Sequence, residues 1–479
     1  MGDPGIRDRT RGLVSAFDTA NVWPSGSAPS PSSPPVTRHL ISIDDLSLAE
    51  IRGLFALADQ FSDDPSGFSD TCRGMISASL FYEPSTRTRL SFESAMLRLG
   101  GGVLTAAEMN ASSAAKGESL ADTVRVVGGG YADVIVLRHP SEGAARLAQE
   151  YSPVPVINAG DGAHEHPTQT LCDLYNLHVE RGKLEGLDVV LAGDLKYSRT
   201  VHSFAYALAR FGANIVCVPQ PGFEMPDYVL KKLRDELNVE PVRADAARLG
   251  QLADRSDAIY LTPQKPHQLS LFTDTKGWQV ESVDAVYMTR PQTERYQQDD
   301  GSIENYQTLG KQSMAAESLR DAVVMHPLPR RDEISSEIDE DPRSIYFKQA
   351  ARGVPIRMAL LSVLMGRMPL EGMVTEAAVP EPNSWPVGTG DNPCPNPSCV
   401  SRTEPRHVVP RFSLPSRAPM RAQCAYCSRE LAFRFVGCST TRRYHRPDSN
   451  ALRQVRPDHL VFLDDEAQAD SMQYIPAHH

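Results

Sequence analysis

Apolar positions along the chain switch between two periods. Residues 75–82 form a strand-length apolar run, and Pro84 turns the chain. Phe92, Ala95, Met96 and Leu99 then fall at i, i+3, i+4 and i+7, one face of a helix. Ser85 is a good N-cap for that helix, and Gly100-Gly101-Gly102 ends it. Upstream, 40–43 reads as a short strand, followed by a capped entry at 44–47 and an amphipathic helix to Phe61. Downstream, 102–105, 133–138 and 154–157 read as strands, and Pro167 opens a helix reaching about Glu185. A second series comes next: strand 188–194, helix 200–211, strands at 214–218, 258–261, 285–288 and 322–325, and an apolar helical segment at 346–365. Strand alternating with helix predicts an α/β fold of two doubly wound parallel-sheet domains, 39–177 and 178–340. Residues 1–38, rich in Pro, Ser and Gly, predict a disordered tail, and 369–393 a linker. Residues 439–479 match no pattern and are expected to be partly disordered.

Composition changes this picture little. The chain of 479 residues is too long for one core, and 41% hydrophobic with 23% charged residues is ordinary for a soluble protein. A net charge of -11 argues mildly against nucleic acid as the main partner. No long apolar run predicts a membrane span, no apolar leader is evident, and Ile6 breaks the myristoylation pattern, so a cytoplasmic enzyme is expected.

The cysteines add a third body. Cys72, Cys172 and Cys217 stand alone in apolar contexts and read as reduced core residues. Cys394 and Cys399, then Cys424 and Cys427, form two knuckles whose spacing predicts a closed structural zinc site in a small β-rich domain at 394–438. Cys438 is read as a non-ligand. Arginines between Arg402 and Arg446 keep a nucleic-acid-binding ribbon open, although no interleaved aromatic platform accompanies them.

The densest chemistry is Phe81-Tyr82-Glu83-Pro84-Ser85-Thr86-Arg87-Thr88-Arg89. A helix N-terminus offers unpaired N–H groups and partial positive charge. Ser85, Thr86 and Thr88 add hydroxyl donors, and Arg87 a two-pronged guanidinium, a combination suited to phosphate. Arg138, at the end of a strand, is placed where α/β sheets collect ligands. His164 and His166 flank Glu165, but with no third ligand nearby they are weak as a metal pair.

The string F-Y-E-P-S-T-R-T-R-L-S-F-E resembles the carbamoyl phosphate site of the aspartate and ornithine carbamoyltransferases, and further matches extend the resemblance over roughly 40–368. This resemblance implies roles for individual residues. Ser85, Thr86, Arg87, Thr88 and Arg138 would hold carbamoyl phosphate, with His166 and Gln169 of H-P-T-Q on its carbonyl and amide. Leu328 and Pro329 of H-P-L-P would bind through their carbonyls. Ser112 and Lys116, matching S-x-x-x-K-G-E, would enter a neighbouring subunit's site, which implies a catalytic trimer. Arg87, Thr88, Arg138 and His166 would be the catalytic set. Lys116, Arg199 of G-D-L-K-Y-S-R-T, and Arg290 and Gln292 of T-R-P-Q-T-E-R would hold an aspartate. Glu83, Arg199 and Arg295 would link the domains on closure. The 341–368 helix would return to the first domain. Thr168 and Pro327 stand where ornithine enzymes carry Cys, and the cations suit a dicarboxylate, so aspartate is favoured.

The implied reaction is a step of pyrimidine synthesis and needs no redox cofactor. A catalytically silent scaffold is the rival, against which the retained Arg87, His166 and Arg290 count. The cysteine-rich stretch resembles the zinc domain of the regulatory chain of bacterial aspartate carbamoyltransferases, here fused. Residues 369–393 are too few for that chain's nucleotide-binding domain, so a structural role at subunit contacts, in a trimer or a dimer of trimers, is expected.

Overall fold

The computed structural model describes residues 37–107, 117–244, 256–262, 273–274, 277–278, 282–290, 308–370, 384–386, 394–404, 408–417 and 419–477. The expected strand at 40–43 shrinks to a single bridge from Leu40 to Ile157. The Asp45 carboxylate accepts from the backbone N–H groups of Ile41 and Ser42 at 2.6 and 2.9 Å and draws the chain into a 3-10 turn. Helix α1 (Leu48–Asp63) follows, with a reciprocal capping box between Ser47 and Glu50.

Strands β1 (Ile76–Phe81), β2 (Gly102–Ala107), β3 (Val134–His139) and β4 (Val156–Asp161) make a parallel sheet of order β2-β1-β3-β4. Helices α2 (Thr86–Arg98), α3 (Leu120–Gly130), α4 (Ala144–Tyr151) and α5 (Pro167–Arg181) connect or follow them. The anticipated apolar face of α2 is the buried one, with Phe92, Ala95 and Met96 inside and Leu99 as its C-cap. Helix α5 stops at Arg181, short of the expected Glu185, because Gly182 takes a left-handed φ of 77°.

The second sheet, β5 (Asp188–Gly193), β6 (Asn214–Pro219), β7 (Val242–Arg243), β8 (Ala258–Thr262), β11 (Ala285–Met288) and β12 (Val323–Met325), is parallel with order β12-β11-β8-β5-β6-β7. A separate two-stranded ribbon pairs β9 (Thr273–Asp274) with β10 (Gly277–Trp278). Helices α6 (Arg199–Arg210) and α7 (Asp227–Asp235) pack on this sheet, a short α8 (Lys311–Met314) precedes β12, and α9 (Tyr346–Leu364) returns to pack on α1, α2 and α5. One apolar core therefore runs through Ile51, Phe92, Leu174, Val189, Phe204 and Leu361 and joins the two α/β domains. Strands β1, β3 and β4 of the first sheet and β5, β8 and β11 of the second are buried almost throughout, as near-continuous apolar strands require, whereas β2 and β7 are largely exposed.

The C-terminal body begins earlier and ends later than expected. Strand β13 (Ser384–Pro386), within the anticipated linker, pairs with β14 (Arg411–Arg417), which pairs with β15 (Met420–Cys424). The β14–β15 register shifts between Ser413 and Ser416, where Pro415 cannot donate to the ladder. Short helix α10 (Val400–Thr403) follows the first knuckle. Residues 439–477 are folded. Strands β16 (Phe435–Cys438), β17 (Arg443–His445), β18 (Leu460–Leu463) and β19 (Ile475–Pro476) form a sheet of order β18-β16-β17-β19, with helix α11 (Glu466–Ser471) beside it. The Leu460–Leu463 run is wholly buried, and Phe462 sits edge-on to Phe412 at 4.7 Å, so this sheet shares the core of the cysteine knuckles. Burying one such ring contributes about 1.5–3 kcal/mol, which explains why the segment is ordered.

Candidate active site

The order of strands in the first, parallel sheet reverses between β1 and β3, and ligands gather at the carboxyl ends of strands at such a point. There α2 begins. Its N-cap Ser85 makes no side-chain capping bond, so the hydroxyl is not spent on its own helix. A cavity of about 620 Å³ opens at this point between the two α/β domains. It is lined by Glu83, Ser85, Thr86, Arg87, Thr88, Arg138, His166, Gln169, Arg199, Arg290, Leu328 and Pro329. Those are all the substrate-site residues expected from the sequence that fall within the described chain. Ser112, Lys116, Gln292 and Arg295 lie outside the described residues.

Cations dominate the cavity. Arg87 has no ion-pair partner among the described residues, and its pKa is lowered, first by burial and then by repulsion from Arg290 of the facing domain. Glu83 Oε2 pairs with Arg138 Nη2 at 3.0 Å and with Arg199 Nη1 at 3.3 Å, so one carboxylate oxygen holds a guanidinium from each domain. Arg199 also donates to the Gly162 carbonyl at 2.8 Å, and Arg138 to the Ala159 carbonyl at 3.3 Å. Gly160, at φ 112°, lets Arg199 approach, since a Cβ there would lie 3.0 Å from the guanidinium carbon.

His166 is the N-cap of α5, with Pro167 as first helical residue. Its backbone N–H donates to Ser203 Oγ at 3.0 Å, and its Nδ1 lies 3.4 Å from the Thr168 hydroxyl. His164 points away from a metal role. Its Nδ1 lies 3.1 Å from Asp161 Oδ2; burial opposes the imidazolium, but this carboxylate outweighs it and raises the His164 pKa. The His326-to-Pro329 loop contains a cis Leu328–Pro329 bond and puts Leu328 at φ 53°. His326 Nδ1 accepts from Leu328 N–H at 2.7 Å, so the ring proton sits on Nε2, 2.8 Å from Glu333 Oε1.

Several functional residues escaped the sequence reading. Asp173, one turn into α5, is fully buried beneath the cavity, and its Oδ1 accepts from Gln169 Nε2 at 2.8 Å, Tyr287 OH at 2.9 Å and Gln349 Nε2 at 3.0 Å. Gln349 Oε1 in turn accepts from the His326 N–H at 2.9 Å. Arg357 also lines the cavity and donates to Ser91 Oγ at 2.9 Å. An aspartate between Cys172 and Leu174 on a buried helix was the available signal.

A second site lies outside the cavity. The four sulphur atoms of Cys394, Cys399, Cys424 and Cys427 are buried and lie within 4.8 Å of one another, with Cys394 to Cys427 at 3.4 Å and Cys399 to Cys424 at 3.6 Å. A tetrahedral thiolate site with Zn–S of ~2.3 Å has sulphur edges of ~3.8 Å, so this set fits a closed four-sulphur site. Cys438 stands apart, 3.0 Å from the Thr440 hydroxyl.

This body docks on its own chain's α/β domains. Glu142 N–H donates to the Ser398 carbonyl at 2.8 Å, Val400 N–H to the Glu142 carbonyl at 2.9 Å, and Asn396 to Glu142 Oε2 at 2.8 Å. On the second domain Lys231 pairs with Glu430 at 2.5 Å and Asp235 with Arg421 at 2.7 Å. Gly143, at φ 83°, admits the second knuckle, because a Cβ there would meet the Tyr426 main chain at 2.6 Å. Arg421, Arg429 over Tyr228, Arg402 on the Cys394 carbonyl and Arg417 on the Arg453 and Val455 carbonyls are used within the chain, which weakens the nucleic-acid reading. No described helix is long and apolar enough to cross a membrane.

Residues 38–179 match the family described as aspartate/ornithine carbamoyltransferase, carbamoyl-P binding domain, and 185–364 its Asp/Orn binding domain. Residues 392–436 match the aspartate carbamoyltransferase regulatory chain, metal binding domain. The aspartate carbamoyltransferase catalytic subunit of Clostridium botulinum is 44% identical over 333 residues, 69% of this chain and 98% of that protein. That of Thermoplasma acidophilum is 43% identical over 335 residues, 69% of this chain and 98% of that protein. Among solved structures, the catalytic subunit of M. jannaschii aspartate transcarbamoylase superposes with TM-score 0.55 at 41% identity, covering 68% of this chain and 98% of that one. The Trypanosoma cruzi enzyme in complex with carbamoyl phosphate and aspartate gives TM-score 0.57 at 34% identity, covering 68% and 96%.

Proposed function

Because the chain belongs to the aspartate carbamoyltransferase family, we propose that it transfers the carbamoyl group of carbamoyl phosphate to the amine of L-aspartate, giving N-carbamoyl-L-aspartate and phosphate in pyrimidine synthesis. One observation carries this reading: a single cavity gathers the α2 N-terminus, Arg87, Arg138 and His166 from one α/β domain and Arg199 and Arg290 from the other. The first group suits an acyl phosphate, the second a dicarboxylate.

In this reading Ser85, Thr86, Arg87 and Thr88 hold the phosphate, and Thr88, Arg138 and His166 donate to the carbonyl oxygen as it becomes an oxyanion. Preorganised donors of this kind are each worth about 2.7–4 kcal/mol. Arg199 and Arg290, with Gln292, hold the two carboxylates of aspartate, and the neutral amine attacks the carbonyl carbon. The C–N bond forms first, giving a tetrahedral intermediate; its collapse breaks the C–O bond to phosphate, and the leaving phosphate takes the amine proton. Alignment of two substrates between closing domains supplies much of the rate.

Ser112 and Lys116 would complete a neighbour's site in a cytoplasmic trimer. Support comes from the open edge of β2 and the exposed Leu90, Leu97 and Leu104 near it (51, 62 and 44% exposed), a face that a partner copy would cover. The four-cysteine site would hold zinc as a structural ion, away from the chemistry. The test is carbamoyl aspartate formation by the full chain with carbamoyl phosphate and either L-aspartate or L-ornithine. Turnover with aspartate alone is expected; no turnover with either amine rejects the assignment.

A further inference from the structure

Asp173 is a carboxylate whose two oxygens have opposite surroundings. Oδ1 takes three donors, from α5, β11 and α9, whereas Oδ2 is buried with no hydrogen-bond partner among the described residues. Burial pushes its carboxyl up to about 7 in spite of those donors, so a group placed only for packing would be better replaced by an apolar one. What it accomplishes is visible at Gln169, which lines the cavity. A carboxamide can be turned by 180° with almost no change of shape, exchanging donor for acceptor. Beside an acceptor, only one orientation works: Nε2 faces Asp173 at 2.8 Å, and Oε1 is left for the cavity. The reverse would set two oxygens in repulsive contact.

We propose that Asp173 is a positioning residue that fixes the Gln169 carboxamide with its carbonyl oxygen toward the cleft, so that the site selects an acyl phosphate carrying an N–H donor at that point. The inference rests on the carbamoyl phosphate reading above and adds the source of its amide selectivity. It predicts discrimination against acetyl phosphate, which has the same charge and shape with CH₃ in place of NH₂.

The experiment measures dissociation constants of the full chain for carbamoyl phosphate, acetyl phosphate and inorganic phosphate, in wild type and in Asp173→Leu, which removes the acceptor that faces Gln169. Wild type should prefer carbamoyl over acetyl phosphate by about tenfold, the upper end of what one neutral hydrogen bond contributes. Asp173→Leu should lower that ratio severalfold while phosphate affinity stays put. A variant that keeps the ratio, or that weakens all three ligands equally, overturns the role of Asp173. A wild-type protein with no preference overturns the carbamoyl reading itself. Should Asp173→Leu not fold, Tyr287→Phe strips a different donor from the same oxygen and must keep the preference, while Gln169→Met must lose it. Loss of preference in Tyr287→Phe would equally overturn the assignment.

Discussion

Glu83 shows how much one residue can couple. Its Oε2 serves Arg138 and Arg199 together, so neutralising it leaves two guanidinium groups from opposite domains facing each other. Glu83→Gln is expected to lower kcat/KM for aspartate by roughly thirtyfold, about 2 kcal/mol, through poorer closure; steady-state kinetics with phosphate affinity as control checks this, and an unchanged kcat/KM rejects it. At this scale the sequence was informative wherever chemistry is local. Ser85 to Thr88 are four consecutive residues at a strand-to-helix turn, and their meaning follows from that turn. Asp173 was illegible as a hub because its partners Tyr287 and Gln349 are 114 and 176 residues away. Ser85 was placed correctly at the N-cap but not in its bonding, since it leaves the cap unmade.

Among elements, the zinc-type knuckles were legible from spacing alone, because four thiolates around one ion need two close pairs and a loop. Their docking was not, because it depends on backbone shape. Gly143 is the critical point: it combines a left-handed φ with a contact that a methyl group would violate. Gly143→Ala should therefore cost about 1–3 kcal/mol for the backbone strain alone and release the C-terminal body. Limited proteolysis should then cut between 394 and 477 faster than in wild type, and equal rates would exclude the contact as a clamp. Folding of 439–477 was missed for a related reason. Its strands are short, and they are held by the packing of Phe462 on Phe412 and Phe433 from outside the segment and by a small core of Tyr444, Val461, Leu463, Ala469 and Tyr474 within it.

For the whole molecule, alternating strand and helix periods made the two-sheet architecture readable, while the joining of both sheets into one core by the returning α9 was visible only through resemblance. The buried histidines give this body a pH signature. His39, His139 and His202 are each depressed to about 4, chiefly by burial. Their folded pKa values lie below the unfolded value near 6.5, so the unfolded chain binds more protons between those limits. These three rings thus hold stability above about pH 6.5 and lose it as pH falls toward 4, each taking up about one proton on unfolding, while Asp173, held up to about 7, gives back about one over the same range. Melting temperatures across pH 4–7 should show this slope, and His202→Gln should remove about one proton from it; a flat profile would contradict the burial of these rings.

The cis docking of the cysteine body also changes what dilution can do. A regulatory partner held by affinity alone leaves its target once concentration falls below its dissociation constant. Here the ligand and its receptor surface are one polypeptide, and a short tether sets an effective concentration on the order of millimolar at any dilution. Stoichiometry is fixed at one to one, and no supply of a second chain can titrate it. Any control exerted through that contact must come from making or breaking the fold of the body itself, above all from the presence of its metal.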